Sequence, residues 1–139
     1  MDGRVLDSWA ILAWMRAEVC AGRVRILLDR AEAGELVLRC SAINAGEVFY
    51  QLVRAGRQGE AARFWSGLLR SDSRVRLEAV TTRRVKSAAQ IKARYPLAYA
   101  DAFAIALARE FGSTLVTGDT EMRAPERDGL VIVEWLPTS

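Results

Sequence analysis

The chain has 139 residues, 51% of them hydrophobic, and a formal net charge of +3 at pH 7. That length suits a single domain over 1–139, able to bury roughly two-thirds of its unfolded surface, and no apolar run approaches the ~20 residues of a membrane span. Histidine is absent, which excludes Ser-His-Asp and Cys-His triads, histidine general bases and His-ligated zinc or iron.

Cys20 and Cys40 form no CxxC pair and no zinc-ligand spacing, so they read as buried thiols of a reducing compartment. The N-terminal segment lacks a long apolar run and a small-residue cleavage site, and a cytoplasmic setting is expected. The mild positive charge is compatible with a polyanionic partner.

In chain order, Val5–Leu6 reads as a short strand, and Asp7-Ser8 caps a helix to about Met15. A second helix is expected over 24–33, stopped by Gly34. A strand over 36–39 leads to Ser41, which opens a helix over 43–55. A further helix covers 59–69, and the alternation of Val75, Leu77 and Ala79 predicts a strand over 75–80. Thr81-Thr82 caps a basic helix through Ala93, broken by Tyr95-Pro96. Next comes a helix over 98–108, a stop at Gly112 and a strand over 114–117. A polar loop with Pro125 and Gly129 precedes a last strand over 130–133. Strands alternating with helices predict an α/β sandwich around a mostly parallel sheet.

The helix over 98–108 is apolar on every side except at Asp101. A helix apolar all round is normally buried all round, and a buried carboxylate needs a partner. In a parallel sheet, strand ends and helix starts share one edge, where ligands bind. Asp7 follows the first strand, Glu47 lies early in the helix after the second, Asp101 opens the apolar helix, and Asp119 follows the next strand. All four acids therefore fall on that edge, with Asn44 one turn before Glu47 and with Ser8, Thr117 and Glu121 beside the others. Singly, Asp7 could be only an N-cap, Glu47 an exposed helix acid, Asp101 a helix-dipole acid and Asp119 a turn residue. Together they would repel one another unless neutralised. No Lys or Arg lies within three residues of Asp101. A divalent cation is the economical counter-charge, and an oxygen-only ligand set suits Mg²⁺ or Mn²⁺.

Four blocks carry a resemblance to a known family: Val5-Leu6-Asp7-Ser8, Ile43-Asn44-Ala45-Gly46-Glu47-Val48, Ala100 to Ala108 around Asp101, and Leu115-Val116-Thr117-Gly118-Asp119. In this order they resemble the PIN-domain ribonucleases, and among those the VapC toxins of type II toxin–antitoxin systems. Asn44 stands where many VapC toxins carry Thr. The resemblance implies a three-layer α/β/α sandwich around a short parallel sheet, a homodimer, and inhibition by a cognate VapB-type antitoxin that inserts a segment into the acidic pocket. It also implies Mg²⁺- or Mn²⁺-dependent endonucleolytic cleavage of RNA. Carried over, Asp7, Glu47, Asp101 and Asp119 are the catalytic and metal-binding acids; Ser8, Asn44 and Thr117 are polar support, and Glu121 is an auxiliary acid. An activated water would attack the phosphodiester in line, leaving a 5′-phosphate and a 3′-hydroxyl. Arg83, Arg84, Lys86, Lys92 and Arg94 are candidate backbone contacts around the acidic mouth. Trp9, Trp14, Phe49, Trp65 and Phe103 could stack on bases, although helical spacing favours core roles.

Other acidic-pocket folds fit less well. A receiver-like phosphoacceptor wants paired acids near the N-terminus and a late Lys. A haloacid dehalogenase-type phosphatase wants an acid two residues after Asp7, where Trp9 stands. The remaining alternative is a PIN fold serving as a non-toxin RNA-binding or RNA-processing module.

Overall fold

The structure, a computed structural model, describes residues 2–138. Five strands form one sheet: β1 (Gly3–Leu6), β2 (Val37–Ser41), β3 (Val75–Glu78), β4 (Thr114–Thr117) and β5 (Val133–Trp135). Their order is β3-β2-β1-β4-β5, and every neighbouring pair is parallel. The helices are α1 (Ser8–Met15), α2 (Ala21–Glu32), α3 (Ala42–Arg54), α4 (Gln58–Leu68), α5 (Thr82–Arg94), α6 (Tyr99–Glu110) and α7 (Arg123–Arg127).

Neighbouring side chains on each central strand point to opposite faces of the sheet. Leu6, Leu38 and Val116 face one core, built with α1 to α4, whereas Val5 and Leu115 face the other, built with α5 and α6. Both cores are built of buried apolar side chains, and burying Val5 or Leu115 completely contributes about 2 kcal/mol each. The result is the expected three-layer α/β/α sandwich.

Helix α6 is held at both ends. Its residues from Asp101 to Ala108 are all buried, as an all-round apolar helix requires. At its start, the Asn44 side-chain amide donates to the Ala100 carbonyl at 3.3 Å. At its far end, Arg84 reaches both oxygens of Glu110 at 2.9 Å and also Glu78 at 3.2 Å. Arg39 lies 3.8 Å over the Phe111 ring. These contacts fix where Asp101 projects.

Three segments depart from the sequence reading. The expected polar loop after Asp119 contains a 3-10 turn (Thr120–Met122) and the short helix α7. Pro125 read as a breaker, but it sits in the first turn of α7, where a missing N–H costs nothing. The last strand is Val133–Trp135 rather than 130–133. Leu130 and Val131 instead bring the chain back over the core from α7, and the apolar run did not fix the register. Helix α2 also begins three residues earlier than expected.

Five helix ends share one turn: a residue at positive φ donates back three residues, and the next donates back five. It closes α2, α3, α6 and α7 with glycine at Gly34, Gly56, Gly112 and Gly129. After α1 the same turn is made by Ala17 (φ 53°), with Glu18 N–H reaching the Ala13 carbonyl at 3.0 Å. A left-handed alanine is strained, and a glycine there is not. Gly112→Ala should therefore lose about 1 kcal/mol, whereas Ala17→Gly should gain about 0.5 kcal/mol once the extra freedom of the unfolded chain is subtracted. Urea melts of both variants check the opposite signs.

Candidate functional site

At the carboxyl edge of the sheet, each acid is placed by an element boundary. Asp7 follows β1 and caps α1, with Oδ1 accepting the Ala10 N–H at 2.8 Å. Its Oδ2 accepts the Thr117 hydroxyl. The same hydroxyl oxygen accepts the Asp119 N–H at 3.0 Å. Thr117 thus ties the end of β1 to the end of β4 and fixes two acids relative to each other. Asp119 turns its own Oδ1 onto the Glu121 N–H at 3.0 Å, which leads Glu121 back toward the pocket. Asp101 lies in the first turn of α6. Glu47, in the second turn of α3, accepts from the Ser8 hydroxyl and, at 3.4 Å, from Tyr50.

A cavity of about 320 Å³ lies between these elements, and Ser8, Glu47, Asp101, Asp119 and Glu121 all border it. Oxygens of Asp101, Asp119 and Glu121 come within 4.8 Å of one another. Glu121, placed by the sequence only as an auxiliary acid, is thus part of the tightest trio. Asp7 and Glu47 lie outside that trio; Asp7 is buried beneath it and both its oxygens are already engaged. Asn44 is fully buried, with Nδ2 satisfied by Ala100 and Oδ1 left without a partner.

Gly118 matters for a steric reason. A methyl group there would fall inside the Trp9 indole, so only glycine lets the Thr117-to-Asp119 turn close onto Trp9. Trp9 is also the only one of the five aromatics singled out above that borders the acidic cavity; Phe103, Trp14, Phe49 and Trp65 pack in or against the cores.

The cations are not where the sequence reading put them. None of Arg83, Arg84, Lys86, Lys92 and Arg94 borders the acidic cavity. Arg84 is tied to Glu78 and Glu110, beyond the far end of α6, and Lys92 donates to the Leu97 carbonyl at 2.6 Å. α5 runs antiparallel to α6, so its amino-terminal arginines lie away from Asp101. The cation that does border the cavity is Arg16, at the end of α1. Local sequence held no signal for it, because its place depends on the direction in which α1 carries its carboxyl end past the cavity.

The electrostatics are unfavourable as they stand. The Asp7 carboxyl is pushed up from 3.8 to about 7, chiefly by burial and in smaller part by the charges of Asp119 and Glu47, against the lowering hydrogen bonds from Thr117 and Ala10. Burial also pushes Asp101 up to about 8, helped by Asp119, Asp7 and Glu121. Among the described residues, none of Asp7, Glu47, Asp101, Asp119 and Glu121 forms an ion pair. Three carboxylates within reach of one point, none of them ion-paired among the described residues, form a donor set that fits a hard divalent cation.

The profile of the PIN domain family matches residues 4–127. The chain belongs to the PIN domain family. Among curated proteins, none matches it significantly. Solved structures share its fold. The Mycobacterium tuberculosis VapC20, a Sarcin-Ricin loop cleaving toxin, is 20% identical with a TM-score of 0.75, over 96% of this chain and 99% of that one. A chain of VapBC2 from Rickettsia felis, bound to a DNA fragment from the promoter, is 13% identical with a TM-score of 0.70, over 97% and 99%. A chain of DNA-bound VapBC from Salmonella typhimurium is 19% identical with a TM-score of 0.68, over 96% and 98%.

The raised acids fix a sign. Between pH 4 and about 7 to 8 the folded chain keeps protons on Asp7 and Asp101 that the unfolded chain, with ordinary values near 3.8, has lost. Their contribution is fully favourable below pH 4 and falls as pH rises through that window, by up to ~1.4 kcal/mol per pH unit for each group. Without divalent ions, thermal or urea denaturation should show stability declining from pH 5 to pH 8, and saturating Mn²⁺ should flatten or reverse the slope. A metal-free stability that rises across the window would contradict these shifts.

Proposed function

We propose that this protein is a metal-dependent endoribonuclease, the toxin of a VapBC-type toxin–antitoxin pair. The observation that carries the reading is the cluster of Asp7, Glu47, Asp101, Asp119 and Glu121 at the sheet edge of a PIN domain, none of them ion-paired among the described residues. Family membership supports phosphodiester hydrolysis, and likeness to toxins solved with their antitoxins supports the biological role.

In this reading Asp101, Asp119 and Glu121 would hold Mg²⁺ or Mn²⁺, with Asp7 and Glu47 as the further acids of the site. The ion supplies positive charge against the phosphate and makes water a better nucleophile near neutral pH. The chain's own residues do the rest. Thr117 and Ser8 orient Asp7, Asp119 and Glu47. The Asn44 amide holds the start of α6, and thereby Asp101, in place. Arg16 faces the same cavity and meets the negative charge of the substrate backbone. Trp9, fixed against Gly118, offers an aromatic wall for a base. The cleavage is in-line, with 5′-phosphate and 3′-hydroxyl products.

The antitoxin has a place to sit outside the acidic cavity. A cleft of about 750 Å³ opens between α1, α2 and α4, with Ile11, Trp14, Val24 and Phe64 on its walls and Arg63 and Glu60 at its rim. An apolar floor with a charged rim suits an amphipathic helix, and the path from this cleft to the acids runs along α1 past Arg16. The active unit is a single domain, working in the cytoplasm as a homodimer.

Asp101→Asn and Asp7→Asn, assayed on total RNA with Mg²⁺ or Mn²⁺, should each lose about 10²-fold or more of the cleavage rate. Both should keep or raise metal-free stability, because a buried repulsion is relieved. A variant cutting at the wild-type rate would remove that acid from the site.

A further inference from the structure

We propose that the groove between α5 and α6 is an RNA track, holding single-stranded backbone that extends away from the acidic cavity. The inference rests on the ribonuclease reading and deepens it. It answers a physical difficulty of that reading. The acidic cavity is lined by Glu18, Glu47, Asp101, Asp119 and Glu121 and by a single arginine, Arg16, so a polyanion gains little there before the metal is counted. Attraction has to come from elsewhere on the surface.

The sequence of α5, Thr82 to Arg94, contains five cations and no acid. The structure divides four of these cations, and the fifth, Lys86, does not border the groove. Arg84 is consumed by Glu78 and Glu110, and Lys92 by the Leu97 carbonyl. Arg83 and Arg94 have no carboxylate partner among the described residues. Both border a groove of about 420 Å³, together with Ser87, Gln90 and, from α6, Arg109. Arg83, Ser87, Gln90 and Arg94 follow one another at intervals of four, three and four residues, which keeps them on one helix face. The stripe is therefore about 16 Å long. Arg109 spends one nitrogen on the Leu130 carbonyl at 2.6 Å and leaves the others free. The one acid bordering the groove, Glu110, is already neutralised by Arg84 at 2.9 Å. Asp128, near the Arg94 end, accepts from Tyr95 at 2.7 Å.

Three guanidinium groups with a hydroxyl and an amide between them, over a floor of Ile91, Ala106 and Leu130, match a phosphate backbone better than an apolar partner. The groove also leads to the chemistry. Arg94 is four residues before Ala98, which borders the acidic cavity. Arg109 is eight residues along α6 from Asp101, about 12 Å of helix rise. A strand with one phosphate at the acids reaches this groove within a few nucleotides, and one strand, rather than a duplex, follows a furrow between two packed helices.

The test is fluorescence anisotropy of a labelled 12-nucleotide oligouridine on full-length Asp101→Asn protein, in Mg²⁺, as KCl is varied. Adding Arg83→Gln, Arg94→Gln and Arg109→Gln together should weaken binding at least tenfold near physiological salt. The slope of log Kobs against log salt should shrink by about 2, since each single-strand contact contributes roughly 0.7. A control triple outside the groove, Arg23→Gln, Arg25→Gln and Arg76→Gln, should change both much less. If the groove triple does not fold, the Arg83→Gln/Arg94→Gln pair should shrink the slope by about 1.4. Equal losses in the two triples, or no loss in the groove triple, would overturn the track. So would tighter groove-dependent binding of a duplex DNA of the same length. Groove-dependent RNA binding by a protein whose native form cuts no RNA would support the track and remove the ribonuclease reading instead.

Discussion

The mutual repulsion of buried carboxylates at the end of the sheet is the constraint on which the rest of the structure depends. Asp7 and Asp101 are almost wholly removed from water, and Asp119, Glu47 and Glu121 add further negative charge around them. A fold does not keep such an arrangement for stability, since apolar residues of similar size would pack there at no electrostatic cost. It persists because two apolar cores and a five-stranded parallel sheet hold it. Those cores tie β1, β4 and α6 together, and the acids project from their ends.

The supporting contacts make sense in this light. One Thr117 hydroxyl spans two strands and fixes Asp7 and Asp119 together. Helix α6 is held by Asn44 at one end and by Arg84 and Arg39 at the other. Gly118 lets a turn close on Trp9. The strained left-handed alanine after α1 stands beside Arg16, the cation that borders the cavity. Backbone strain of this kind gathers where geometry matters more than stability.

Much of this was legible in the sequence, for identifiable reasons. The four acids could be placed on one edge because parallel topology alone puts strand ends and helix starts together, whatever the strand order. Asp101 stood out because the apolar pattern of α6 leaves no solvent-facing side for it. Thr117 and Ser8 were found because they adjoin acids in sequence. Other features were hidden because they depend on three-dimensional direction. The arginines of α5 were expected at the acidic mouth, but that helix runs antiparallel to α6, so Arg83 and Arg84 lie toward its other end. Arg16 carried no periodic signal. Glu121 looked peripheral until the turn at Asp119 folded it back, and Pro125 concealed a short helix that begins around it.

The most direct test of the central claim, that these acids are kept for a divalent cation, is calorimetric titration of Mn²⁺ into the metal-free protein at pH 6.5. Running it in two buffers of different ionisation enthalpy counts the protons released. With Asp7 near 7 and Asp101 near 8 before the metal arrives, binding should expel about one proton or more, and Asp101→Asn should reduce that number together with the affinity. Absence of Mn²⁺ binding, or binding with no proton released, would contradict the account.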